Sequence, residues 1–170
     1  MRIKWFSLIR ITGLLLVLLY HFFQTIFPGG FFGVDVFFTF SGFLITSLLL
    51  EEFSQKGEID IIGFFRRRFY RIFPPVVMMV LVIMPFTLMV RQDYVAGIGA
   101  QIAGVLGFMT NFYEMLTGGS YESQFIPHLF VHTWSLAVEV HYYILWGLAV
   151  WFLSKRAKSG GQLRGTIFLL

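Results

Sequence analysis

The sequence predicts an all-α fold, a polytopic transmembrane helical bundle of about four spans plus an interfacial or re-entrant helix. Three observations predict it. The 170-residue chain is 57% hydrophobic and only 13% charged, with a mean hydropathy of +0.76, whereas soluble domains carry about 25% charged residues. Its apolar residues fall in runs close to the roughly 20 residues that a helix needs to cross hydrocarbon. Its charges cluster between those runs, where they set topology. Membrane lipid is therefore an expected partner and nucleic acid is not. The sequence has no cysteine, which excludes disulfides and thiolate metal sites. Neither a metal nor a bound cofactor is expected.

Span 1 covers residues 5–27. Its basic start (Arg2, Lys4) precedes an apolar run that is long for a signal peptide and closes on Phe27-Pro28-Gly29-Gly30, so it reads as a retained span followed by a tight turn. Span 2 covers residues 31–50, and the polar segment 51–60 follows. The stretch from Phe64 to Pro75 contains Arg66-Arg67-Arg68 and Arg71 among aromatics, the composition of a basic helix lying at a membrane surface. Pro74 and Pro75 are expected to break it and to begin span 3, residues 76–90. The last span covers residues 130–153 and ends in Lys155-Arg156-Ala157-Lys158.

The positive-inside rule orients these elements. Arg2, Lys4 and Arg10 place the N-terminus in the cytoplasm, and the arginine cluster then also falls inside. Residues 97–113 are apolar and Gly-rich. A crossing there would leave the final basic cluster outside, so an interfacial or re-entrant path is preferred, with residues 114–127 as an extracytoplasmic loop. Residues 166–170 begin another apolar run, so the sequence reads as the front part of a longer protein.

Ionisable residues inside spans are costly, and each is a functional hypothesis by default. Arg10 and His21 are eleven residues apart, on one helix face and roughly 16 Å apart along the axis at 1.5 Å rise per residue. Asp35, near the start of span 2, lies at a depth similar to that of His21 across a tight hairpin. A His21–Asp35 pair would orient the imidazole as a base. The structural alternative is a pair that only fixes helix packing, but buried charge pairs are weak sources of stability.

In the last span, His132, Ser135, Glu139, Tyr142 and Trp146 recur at helical spacing as a polar-aromatic stripe. Glu139 lies deep in it. A catalytic pocket shared with His21 is the functional reading, and an interhelical hydrogen bond the structural one. His141 points to another face and reads as packing. His128 and His132 have an i, i+4 spacing that suits a metal, but no third ligand is evident and the start of an interfacial helix explains them better. Arg68 and Arg71 share a helix face. Phosphate binding and topology account for that cluster equally well. No Gly-rich phosphate loop, nucleophile elbow or HExxH motif is present.

Four segments, in order, resemble the membrane-bound acyltransferase-3 family. These are Arg10 with Tyr20-His21; Gly33-Val34-Asp35-Val36-Phe37-Phe38 through Ser41-Gly42-Phe43-Leu44-Ile45-Thr46; the Arg-x-x-Arg-Ile-x-Pro stretch between Phe65 and Pro74; and His132-Thr133-Trp134-Ser135-Leu136-Ala137-Val138-Glu139. Within the family the likeness is to the peptidoglycan O-acetyltransferases of Gram-positive cocci. The resemblance implies acetyl-CoA as a cytoplasmic donor substrate and a hydroxyl of a cell-envelope polysaccharide, peptidoglycan being the expected one, as acceptor. It implies His21 and Glu139 as the catalytic pair, with Asp35 in support. Arg10, Arg68 and Arg71 would bind the acyl-CoA, and Ser41, His132, Ser135 and Tyr142 are candidate pocket residues. A multi-pass protein of the bacterial plasma membrane follows.

The chain departs from the family pattern in two ways. Val140 stands where a second acidic residue often follows the motif Glu. Family members also have about ten spans, and the peptidoglycan enzymes carry an extracellular hydrolase-like domain that this sequence lacks. A proton- or solute-coupled transporter, which would use intramembrane His, Asp and Glu as a relay, and a truncated non-catalytic remnant are the competing readings.

Overall fold

In the computed structural model, the described residues are 4–87, 89, 97–117, 128–157 and 159–169. They are mostly helical, and no strand occurs among them. Helix α1 is Lys4–Phe22, and a 3-10 turn, Pro28–Phe31, leads into α2, Phe32–Lys56. Then come α3, Ile61–Thr87; α4, Ile98–Leu106; and α5, Thr110–Thr117. A 3-10 turn, Val131–Thr133, opens α6, Trp134–Ser154, and α7, Gly160–Phe168, ends the order. Three stretches, Pro28–Lys56, Ile61–Thr87 and Val131–Ser154, are long and apolar enough to cross a membrane, and Leu8–Phe22 is a shorter apolar helix.

The chain divides into two compact units, one made of residues 1–58 and 156–170 and the other of residues 59–155. The first is built on the α1–α2 hairpin, and glycine allows its close approach. A Cβ on Gly33 would fall 2.8 Å from Val17 Cγ2 and 3.1 Å from Leu16 Cβ, and one on Gly13 would fall 3.3 Å from Phe37 Cε2. Small residues at helix contacts let backbones approach in lipid, where no hydrophobic force drives helices together. Farther along α2, Ile45, Leu49 and Phe53 are buried at i, i+4, i+8, which makes one helix face. On α7, Leu163 is fully buried, and Ser159 caps the helix by accepting from the Gln162 N–H at 3.3 Å.

Helix α2 continues past the expected end at residue 50. Glu51 and Glu52 sit on helical turns, Lys56 bonds Glu52 at 3.0 Å, and Gly57 stops the helix with φ +74°. Gly57 tolerates this left-handed conformation because it has no Cβ.

The second unit corrects one boundary. The expected break at Pro74-Pro75 is absent, and α3 runs unbroken through Pro74, Pro75 and Pro85. Each proline removes one N–H, but membrane helices tolerate proline where neighbouring groups re-satisfy the freed carbonyls. No polar or glycine signal near residue 74 offers the chain another path. The arginines therefore lie on the same helix as the apolar run that follows them. Asp60 starts α3 by accepting from the Gly63 N–H at 2.9 Å, an N-cap contact.

Residues 97–113 do not form one helix. Helix α4 has 9 residues and α5 has 8, so each is about 12–14 Å long at 1.5 Å per residue, well short of roughly 30 Å of hydrocarbon. A turn joins them in which the Met109 N–H bonds Gly104 O at 2.7 Å and Phe108 takes φ +53°. Such caps usually place glycine at the left-handed position. Here Phe108 bears that strain, and its ring meets Phe73 edge-on with centroids 6.4 Å apart. Val76, Val80, Val105 and Phe130 form the buried core of the unit.

Candidate functional site

In the first unit, His21 occupies the last turn of α1 and is exposed. Its Nδ1 lies 3.0 Å from Val17 O. A carbonyl only accepts, so Nδ1 carries the hydrogen. In the neutral ring, Nε2 therefore holds the lone pair and is the nitrogen that can take a proton. The neighbouring Tyr20 presents its ring edge-on to the imidazole at 5.8 Å and accepts a hydrogen bond from Gln24 at 3.2 Å. Gly30 lies against this turn, where an added Cβ would come within 2.8 Å of Tyr20 Cβ.

The expected direct pair between His21 and Asp35 is not formed. Asp35 sits in the first turn of α2, is exposed, and makes no hydrogen bond or ion pair with another described residue. That position has its own physical basis, since a carboxylate near a helix N-terminus is favoured by the helix dipole. Arg10 is half-buried along α1, and Ser41 is half-buried in the middle of α2.

In the second unit, α3 and α6 pack antiparallel. Gly147 of α6 faces Phe64 of α3, since an added Cβ would lie 3.0 Å from Phe64 Cε1 and 3.6 Å from Phe65 Cε1. One helical turn farther along α3 and one back along α6, the Arg68 guanidinium sits over the Tyr143 ring at 5.5 Å and over the Phe64 ring at 5.7 Å. Tyr143 is buried, and its hydroxyl donates to Glu139 Oε1. Arginine, tyrosine and glutamate are thus linked through a single aromatic ring.

Arg68 and Tyr143 line a cavity of about 500 Å³. Phe65, Phe69 and Ile72 of α3 line one side, and Val140, Tyr143 and Ile144 of α6 line another, with Phe108 also contributing. Arg68 is the charged residue of that lining. The strained Phe108 backbone therefore places a ring in the cavity wall.

The polar-aromatic stripe predicted for the last span lies on α6 and its opening 3-10 turn. Its Tyr142 stacks on Trp146 with centroids 6.0 Å apart and an interplanar angle of 13°, and Tyr143, one position on, is the partner of Glu139. The spacing of four from Glu139 could have indicated it. His132 and Ser135 lie at the start of α6, where Ser135 Oγ reaches His132 O at 3.4 Å, and neither lines the cavity. Arg71 is exposed and also does not line it, so the two arginines expected to act together differ in environment. His141 packs against Phe112 at 5.4 Å.

A second buried pair had no counterpart in the sequence reading. Glu114 belongs to α5 and not to a loop, and its Oε2 meets His128 Nδ1 at 2.6 Å, with side-chain exposures of 8% and 11%. The Tyr113 ring lies 5.5 Å from the His128 ring. The partners are separated by residues 118–127, which lie outside the described residues, and no periodic pattern spans them.

Residues 3–163 match the acyltransferase-3 family profile, described as an acyltransferase domain. O-acetyltransferase OatA of Staphylococcus aureus (strain NCTC 8325 / PS 47) is 32% identical over 162 residues, covering 95% of this chain and 27% of that protein. A putative O-acetyltransferase of Staphylococcus aureus strain COL is 35% identical over 136 residues, covering 80% of this chain and 22% of its own length. The chain thus spans about a quarter of the length of these relatives. No solved structure matches it significantly.

Proposed function

This chain belongs to the acyltransferase-3 family, and from that premise we propose that it provides the donor side of an integral membrane O-acyltransferase. The reaction moves an acetyl group from cytoplasmic acetyl-CoA to a hydroxyl of a cell-envelope carbohydrate, peptidoglycan being the polymer that the similarity to OatA favours. The protein sits in a bacterial plasma membrane with its N-terminus inside. The observation that carries the reading is the linked Arg68, Tyr143 and Glu139 beside an apolar cavity.

Acetyl-CoA combines a charged head with a thin, mostly apolar arm. A guanidinium held at the cavity wall suits the phosphates, and the aromatic cavity suits the pantetheine arm. Arg10 and Arg71 are further cations proposed to bind the acyl-CoA. His21 is the general base, acting through Nε2, and Glu139 is the second catalytic residue. The acceptor O–H proton passes to His21, the hydroxyl oxygen bonds the thioester carbonyl carbon, and the C–S bond breaks. The leaving thiolate then takes up the proton. Asp35 keeps a smaller part, as a carboxylate in the same unit as His21 but without a hydrogen bond to it.

Membranes carrying the protein, supplied with acetyl-labelled acetyl-CoA, are expected to transfer label to envelope polysaccharide. His21→Ala should lower the rate by about 10²–10⁴-fold, the range of general acid–base catalysis. Transfer at the wild-type rate by the alanine variant would remove His21 from the mechanism, and absence of labelled polysaccharide with the parent protein would overturn the reading.

A further inference from the structure

We propose that Tyr143 is a positioning residue that ties donor recognition to the catalytic carboxylate. The inference rests on the acyltransferase reading of Arg68 and Glu139 given above. Tyr143 has two separable features. Its hydroxyl donates to Glu139 Oε1, which fixes the carboxylate rotamer and orients the second oxygen. Its ring lies beneath the Arg68 guanidinium at 5.5 Å and forms part of the cavity wall.

The packing holds both features in place. Tyr143 is only 7% exposed, so its ring has little room to turn. Phe64, 3% exposed, also meets the guanidinium, at 5.7 Å, and is seated against Gly147, the position where α6 leaves room for it. Arg68 thus lies against two rings, and Tyr143, one of the two, also bonds Glu139. Tyrosine suits this position because it combines a cation-binding face with a terminal donor.

Two substitutions separate the features. Tyr143→Phe keeps the ring and removes the hydroxyl. It is expected to lower kcat by about 10–100-fold, as expected for loss of a hydrogen bond to a charged group, with the acetyl-CoA KM changed by less than about twofold. Tyr143→Leu also removes the ring and is expected to raise that KM several-fold, on the scale of a lost cation–π contact. A purely structural tyrosine would instead show kcat and KM changing together with thermal stability, and that pattern overturns the proposal. Glu139→Gln, measured alongside, separates the two possible failures. Wild-type kcat in Tyr143→Phe beside an inactive Glu139→Gln overturns the positioning role alone. Wild-type kcat in both overturns the acyltransferase reading of this site and the inference with it.

Discussion

The two units hold their polar groups in different ways. The α1–α2 unit packs backbone against backbone at Gly13, Gly30 and Gly33, and its candidate site residues His21 and Asp35 are exposed. The α3–α6 unit encloses several polar groups. Glu114 bonds His128, Glu139 bonds Tyr143, and Arg68 lies against two rings. A base that must meet a diffusing acceptor needs an accessible nitrogen, and a donor cavity needs groups fixed before the substrate arrives. Accessible chemistry can be carried on a hairpin whose stability comes from shape, whereas preorganised chemistry needs supporting partners.

Substitutions in each unit can break this contrast. The largest effect is expected from His128→Ala, which leaves Glu114 buried without its partner and should destabilise the second unit by about 3–5 kcal/mol. Thermal unfolding in detergent reads the change, and a loss below 1 kcal/mol would show that the pair does not anchor α5 to the start of α6. Gly33→Ala is expected to cost about 1–3 kcal/mol through overpacking, because its Cβ would press on Val17 and Leu16. An unchanged melting curve would mean that α1 and α2 have room to separate. The smallest effect is expected from Lys56→Ala. Its bond to Glu52 is made by a lysine side chain 60% exposed, and such i, i+4 pairs contribute about 0.3–0.5 kcal/mol. A loss near that of His128→Ala would remove the distinction between the units.

The sequence made the fold class legible because apolar runs of span length leave few alternatives. It misplaced the path at Pro74-Pro75, where local proline chemistry argued for a break and a continuous apolar context overrode it. The candidate site was legible in part. Glu139 and Arg68 stood out as charges in or beside spans, but Tyr143 was passed over for Tyr142, because a stripe drawn from His132 through Ser135 fixes the helix face one residue away from the side chain that meets Glu139. The link from Arg68 to Tyr143 joins positions 75 residues apart by number, and neither composition nor periodicity encodes such a contact. Glu114 and His128 were illegible for the same reason, each an ordinary polar residue until α5 and the start of α6 are packed together. His21 and Asp35 show the converse error, since short loops make neighbours of helices but do not set where their side chains point.

The most direct test is to photo-crosslink an acyl-CoA analogue that carries a diazirine on its acyl group to the protein in membranes, and to map the adduct by mass spectrometry. The donor-site account predicts adducts on cavity residues of the second unit, chiefly Phe69, Phe108 and Tyr143, that are lost in the presence of excess acetyl-CoA. Adducts confined to other segments, or insensitive to acetyl-CoA, would contradict it.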